Sequence, residues 1–292
     1  MNLANFGMDS VTLAGPLESK LRACRAAGFS QIMLWARDLV EHPAGPEEAV
    51  QLVRRSGLRV TGIQVMRDYE GLSGALHEYK LDIARHLLRL CKAVGARLLV
   101  VCSSTSAHAG GEPALVARDL AKLANSAVPL GVRIGYEALS WGRHVHAYEQ
   151  AWEVVDLAAH ANLGLVLDSF HMLAREADME GLEEIPADKI ALVQLSDFMW
   201  RDLGSAQERI ETAGHLRVFP GEGSHSAELS GMLRQLDRGG YRGDYSLEVV
   251  NDDYLQLAPE IVCGRALSAA KWITDQVLRR SLQVRGYRGR TL

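Results

Sequence analysis

Short apolar runs and longer amphipathic stretches alternate along this chain. A first run, about Leu3 to Met8, predicts a strand. Pro16 then opens the helical stretch PLESKLRACRAAG and Gly28 closes it, with proline entering and glycine leaving as helix ends favour. SQIMLW predicts the second strand, EEAVQLVRRSG after Pro46 a helix ending at Gly57, and LRVTGIQVM the third strand. The long helix ALHEYKLDIARHLLRLCKAVG stops at Gly95 and delivers the strand ARLLVVC, and PALVARDLAKLANSAVPLG stops at Gly131 before VRIGYE. The series continues with AYEQAWEVVDLAAHA, the strand NLGLVLD, a helical stretch around Met179 to Ile185, and KIALVQL. It finishes with a long loop, ELSGMLRQLDRGG, YSLEVV and a closing helix from Pro259 to about Leu278.

Strict alternation of apolar strands with helices predicts a parallel sheet, and about eight βα units close it into an α/β fold, the (β/α)8 TIM barrel. A doubly wound open sheet is the alternative, but its Gly-rich phosphate turn is missing, because GMDSVTLAG does not fit G-x-G-x-x-G. No composition break marks a linker. Residues 1–278 therefore read as a single catalytic barrel domain, and 279–292, with Arg279, Arg280, Arg285, Arg288 and Arg290, as a solvated basic tail.

Four predicted strands close on an oxygen-bearing side chain: VRIGYE on Glu137, NLGLVLD on Asp168, IALVQ on Gln194 and DYSLE on Glu248. A buried strand does not end in a charge without a partner. Glu137 to Asp168 is 31 residues and Asp168 to Gln194 is 26, each one βα unit, which places the three on successive strands. The 54 residues from Gln194 to Glu248 hold only one helix signal, so roughly Ser196 to Ser226 reads as a long loop across the barrel mouth. Taken singly, each carboxylate is as readily a helix cap, Asp168 ahead of Ser169 above all. Three on one rim repel one another unless protonated or bridged, so the four together read as an all-oxygen cage for a hard divalent cation. No Cys or His is expected at a corresponding strand end, so Mg2+, Mn2+ or Co2+ suits the cage better than structural zinc.

His171, three residues after Asp168, faces the same mouth if the segment turns helically. Packing is its bland explanation and a neutral imidazole base the functional one. His144, in SWGRHVH, lies in the equivalent loop after Glu137. Arg67 in VMRDYEG and Arg217 in HLRVFPGEG fall on the same rim, where a guanidinium can grip a substrate carboxylate, although a lone loop arginine is ordinarily solvated. Tyr69 and Ser103 are candidates for recognising hydroxyl groups, with strand-end packing equally able to explain them.

A net charge of −4 and a pI of about 6.2, with scattered basic residues, give no field for nucleic acid or an anionic membrane. A small-molecule partner is expected, and a homo-oligomer is compatible with the sequence. Four cysteines without CxxC spacing, and no basic-then-apolar leader, predict reduced thiols and a cytoplasmic location. No apolar run approaches the ~18 residues that a membrane span needs.

The series YEALSWGRHV, LDSFH, VQLSD, RVFPGEG and SLEVVND resembles the 3-dehydroshikimate dehydratases of the sugar phosphate isomerase/epimerase (xylose isomerase-like) barrel superfamily. The likeness runs from VMRDYEG to SLEVVND. It implies Glu137, Asp168, Gln194 and Glu248 as metal ligands, His171 as the acid/base group acting beside Glu137, and Arg67 and Arg217 as substrate contacts. The activity it implies is metal-dependent dehydration of 3-dehydroshikimate to protocatechuate. A proton leaves next to a ketone and a divalent cation stabilises the enolate charge. The same scaffold also serves sugar or inosose isomerases, epimerases and dehydratases. An endonuclease IV-like phosphodiesterase would need a His-rich cluster of several metals and a basic groove, which the net charge and scattered histidines oppose. A non-catalytic sugar-binding protein is the remaining alternative.

Overall fold

Each strand segment is apolar at nearly every position, so it has to bury both faces, and the chain meets that demand by closing the sheet on itself. In the computed structural model, which describes residues 3–278, the strands are β1 (Phe6–Asp9), β2 (Gln31–Trp35), β3 (Arg59–Met66) and β4 (Leu98–Cys102). They continue with β5 (Arg133–Glu137), β6 (Leu163–Asp168), β7 (Ile190–Leu195) and β8 (Tyr245–Leu247). All pair in parallel in sequence order, and β8 returns to β1 to complete the expected barrel. The Arg-rich segment read as a tail lies outside the described residues.

The helices that wrap the barrel are α1 (Leu17–Ala26), α2 (Ala36–Val40), α3 (Pro46–Arg55), α4 (Gly74–Val94) and α5 (Pro113–Ala127). They are followed by α6 (Tyr148–Ala158), α7 (Ser169–Leu173), α8 (Ala206–His215), α9 (Ser226–Arg238) and α10 (Pro259–Trp272). Among the described residues, no helix is long and apolar enough to cross a membrane.

Strand parity decides which side chains enter the barrel, because successive residues point to opposite faces. Met33, Leu98, Val100, Val166 and Leu192 form one buried cluster, separate from the larger one between sheet and helices. Glu137, Asp168 and Gln194 lie two residues beyond Gly135, Val166 and Leu192, on the same face and nearer the strands' C-terminal ends. Close packing sets some residue choices here. A Cβ on Gly62 would lie 2.9 Å from the Leu98 carbonyl oxygen, and one on Gly135 2.6 Å from a Val166 methyl.

Four expectations are corrected. Leu3–Asn5 is a 3-10 turn, so the first strand begins at Phe6 and runs one residue further, to Asp9. The helical stretch near Met179 to Ile185 is a 3-10 turn, Glu180–Glu184, after the short α7. The closing helix is α-helical only to Trp272 and continues as a π-helical turn, Ile273–Val277. The long loop is the largest departure, because it contains the ten-residue α8 and two isolated antiparallel bridges, Asp197 to Val218 and Leu216 to Asn251. Ser205 Oγ accepts from the Glu208 amide at 3.1 Å and the Glu208 carboxylate accepts from the Ser205 amide at 2.8 Å, a reciprocal cap that starts the helix.

Ile210, Ala213 and Gly214 of α8 line the cavity at the barrel mouth, so this cap also bears on the site. Ser205→Ala is expected to lower stability by about 1 kcal/mol, the usual cost of a lost cap. Thermal unfolding checks this, and unchanged stability would show that the cap contributes nothing to holding α8.

Candidate active site

The C-terminal ends of the strands present one continuous polar ring. Pairing sets Cys102 beside Glu137 and Asp168 beside Gln194, so these four leave the sheet at neighbouring places. Gln194 Nε2 donates to Glu248 Oε2 at 2.8 Å. Arg217 Nη1 donates to Asp168 Oδ2 at 2.8 Å and lies 3.6 Å from Glu248 Oε2. His171 Nε2 is 3.5 Å from Glu137 Oε1 and 3.6 Å from Asp168 Oδ2, which links the other side of the ring. Ligand atoms of Glu137, Asp168 and His171 all lie within 4.8 Å of one another, a group able to hold a metal ion.

Asp168 caps a helix and also faces the mouth. Its Oδ1 caps α7 by accepting from the Phe170 amide at 2.8 Å, and its Oδ2 belongs to the ring. One carboxylate thus starts the helix that carries His171 and joins His171 at the mouth.

Burial makes these charges expensive. Glu137, Asp168, Glu248 and Arg217 sit in the barrel top with little or no exposure. Burial first, then the Asp168 and Glu248 carboxylates, push Glu137 up to about 8. Burial likewise raises Glu248, with Arg217 opposing and Asp168 adding. Burial lowers His171 to about 3, so its imidazole is neutral. Arg217 is the internal counter-ion, and its guanidinium also covers the Phe170 ring at 4.5 Å.

A cavity of about 330 Å³ opens above the ring, of the size that takes a small organic molecule. Trp35, Leu139, Trp141 and Ile210 supply apolar wall, and Arg67, Glu137, His171, Arg217 and Glu248 supply the polar part. Arg67 is exposed, and among the described residues no carboxylate lies within ion-pair distance of it.

Of the residues picked from sequence, Glu137, Asp168, Gln194, Glu248, His171, Arg67 and Arg217 are brought together. Tyr69, Ser103 and His144 are not among the residues lining the cavity. Tyr69 is fully buried beside His77, Ser103 Oγ accepts from the Leu139 amide at 3.0 Å, and His144 Nε2 donates to the Ala109 carbonyl at 2.9 Å. All three sit near strand ends, but packing and local hydrogen bonds occupy them.

The expectation that no cysteine stands at a strand end is also corrected. Cys102 ends β4, and its thiol donates to Glu137 Oε2 at 3.0 Å. Burial and the Glu137 carboxylate push that thiol well up, which keeps it protonated and donating. Sequence reasoning also missed Asp9 and Gln64. Gln64 Nε2 donates to Asp9 Oδ2 at 2.6 Å and to Glu248 Oε1 at 3.3 Å. The signal was present, since FGMD also closes on a carboxylate, and Gln64 stands two residues beyond Gly62.

Comparison with known proteins agrees with the barrel fold. The family model described as xylose isomerase-like TIM barrel matches residues 21–275. The chain belongs to the xylose isomerase-like TIM barrel family. Within reach of that family, a 3-dehydroshikimate dehydratase of Pseudomonas aeruginosa is 41% identical over 245 residues, 84% of this chain and 38% of the relative. This chain therefore spans well under half the length of that dehydratase. An inosose isomerase of Bacillus subtilis is 27% identical over 73% of this chain and 72% of its own length. Among solved structures, a xylose isomerase-like TIM barrel/4-hydroxyphenylpyruvate dioxygenase fusion protein superposes with a TM-score of 0.87 at 35% identity. That match covers 94% of this chain and 43% of the fusion protein.

The electrostatics of this family member predict how its metal-free form responds to pH. Ionising Glu137 costs more in the folded than in the unfolded chain. Its contribution to stability is therefore present below the ordinary carboxylate range and lost as pH rises through about 8. His171 acts in the opposite sense only below 6.5, where the unfolded chain takes up a proton that the folded chain refuses. Between pH of about 6.5 and 8.5, chelator-treated protein is expected to lose melting temperature, and Glu137→Gln to lessen that slope, with Asp9 and Glu248, which burial also raises, contributing the remainder. Equal slopes in the two proteins would contradict the assignment to Glu137.

Proposed function

We propose that this chain is a metal-dependent hydro-lyase that converts 3-dehydroshikimate to protocatechuate. One arrangement carries the proposal: a ring of buried carboxylates faces a small-molecule cavity whose wall offers an arginine, Arg67, that has no carboxylate partner among the described residues. The dehydratase relative gives the substrate class, a ring bearing a carboxylate, a ketone and hydroxyl groups.

The residues fit a divalent ion. Gln194 Oε1 is buried with no hydrogen-bond partner among the described residues. Three carboxylates surround the same space, and burial together with the neighbouring negative charge raises the proton affinity of Glu137 and Glu248, as for anions awaiting a cation. Glu137, Asp168, Gln194 and Glu248 would hold it, with Mg2+, Mn2+ or Co2+ favoured by an oxygen-rich set. When bound, such an ion supplies electrostatic stabilisation for the charge that develops on the ketone oxygen.

The chain's own residues account for the remaining needs of the reaction. Arg67 pairs with the substrate carboxylate, because Arg217 is already committed to Asp168, Ser196 and the Ala213 carbonyl. Trp35, Trp141 and Leu139 keep water from the ring. His171 takes the proton next to the ketone through Nε2, which requires the tautomer protonated at Nδ1. Ser140 bears on that choice in two ways: its Oγ lies 3.1 Å from Nδ1 and can accept from it, while its amide donates to Nδ1 at 3.1 Å and favours the other tautomer, so the hydroxyl has to win for His171 to act through Nε2. The bond to the β-hydroxyl then breaks, the imidazolium returns its proton to the departing hydroxide, and loss of water leads to the aromatic ring. The four cysteines, all buried and free, fit a reducing cytoplasm.

The second reading, an inosose isomerase or dehydratase, is favoured by the Bacillus subtilis relative, and proton removal next to a ketone serves both. The products separate them. Purified protein with Mg2+, Mn2+, Co2+ or Zn2+ and 3-dehydroshikimate is expected to generate protocatechuate absorbance. Turnover of an inosose with no aromatic product from 3-dehydroshikimate would select the alternative. His171→Ala is expected to lower kcat by about 10²- to 10⁴-fold. Arg67→Ala is expected chiefly to raise KM, by about tenfold or more for a lost charged hydrogen bond. A normal KM in Arg67→Ala would remove Arg67 from substrate recognition.

A further inference from the structure

Asp9 and Gln64 are buried inside the barrel, and the steps above give neither a role, although Gln64 reaches the cavity wall. Their hydrogen bonds run in one direction. Asp9 Oδ1 accepts from the Val11 amide at 3.1 Å, and Asp9 Oδ2 accepts from Gln64 Nε2 at 2.6 Å. Gln64 Nε2 also reaches Glu248 Oε1 at 3.3 Å, so its amide nitrogen faces two carboxylates. Gln64 Oε1 is thereby turned the other way, where it accepts from Gln194 Nε2 at 3.2 Å. Gln194 Nε2, which also serves Glu248, is accounted for, and Gln194 Oε1 is left buried without a partner among the described residues.

An amide presents unlike ends, a carbonyl oxygen that can bind a cation and an NH2 group that cannot. Nothing in a lone glutamine chooses between them. In this barrel, turning Gln194 over would set its oxygen against Gln64 Oε1 and Glu248 Oε2, acceptor against acceptor. While the Asp9 and Glu248 carboxylates are ionised, Gln64 cannot turn with it, because its oxygen would then face both. When a cation draws on Glu248, Gln64 is the acceptor that remains for Gln194 Nε2.

We propose that Asp9, acting through Gln64, holds the Gln194 amide with its oxygen toward the ion site, which makes Asp9 and Gln64 positioning residues of the metal centre. This rests on the metal reading above. Asp9 does not line the substrate cavity, and Gln64 meets it only at the edge of the ring. Their effect is to decide which end of Gln194 the ion meets, and so how tightly the ion is held.

The test is Mn2+ titrated calorimetrically into the metal-free full chain, a readout that needs no turnover. Asp9→Asn keeps an oxygen for the Val11 amide but places an NH2 group against Gln64, inviting both amides to turn over. Gln64→Met fills similar volume and breaks the relay without adding a donor. Each is expected to weaken Mn2+ binding by about tenfold or more, the usual effect of losing a group that orients a ligand. The double variant is expected to bind no more weakly than Gln64→Met alone, because Asp9 acts through Gln64. Melting of the metal-free variants identifies any that fail to fold, and the folded one decides the matter. If the parent binds Mn2+ and the folded variants bind it equally well, the positioning role is overturned while the metal site stands. Additive losses in the double variant also overturn the relay. A parent that binds no divalent ion overturns the metal reading and this inference together.

Discussion

The structure depends on the crowding of like charge at the top of the barrel. Glu137 and Asp168 at the ends of their strands, and Glu248 just past β8, are drawn out of water, and their only close internal cation is Arg217 among the described residues. Buried carboxylates without full compensation raise their proton affinity, and Glu137 at about 8 shows how far that goes. A protein has little reason to keep such a cluster for stability, since replacing buried ion pairs with apolar side chains is commonly neutral or stabilising. The cost makes sense if the carboxylates are there to meet a charge from outside.

The fold concentrates this charge with a simple rule. Side chains of one parity enter the barrel, apolar ones fill it, and the last of the same parity on each strand reaches the mouth. Val166 followed by Asp168, and Leu192 followed by Gln194, are the same pattern on neighbouring strands. Apolar packing below and polar convergence above therefore come from one geometric cause. The segment between β7 and β8 then folds over the mouth, bringing Arg217 inward and α8 alongside the cavity.

Much of this was legible in the sequence. Each ligand candidate ends an apolar run, and a one-unit spacing between such ends is a strong constraint in a parallel barrel. Three kinds of feature were not. The α8 helix has little apolar content, and its S-x-x-E start, Ser205 to Glu208, is a weak mark inside a long polar segment. Tyr69, Ser103 and His144 lie near the correct end of the barrel, but position along a strand does not tell which way a side chain turns. Asp9 and Gln64 escaped because the first strand was ended one residue early, and because an uncharged amide inside a strand draws no attention until its partners are known.

The most direct measurement is anomalous diffraction from crystals grown with Mn2+. The account predicts one peak at the barrel mouth, coordinated by oxygens of Glu137, Asp168 and Glu248 and by Gln194 Oε1. A mouth without a peak in crystals that hold Mn2+ elsewhere, or an ion that any of these four fails to reach, would contradict it.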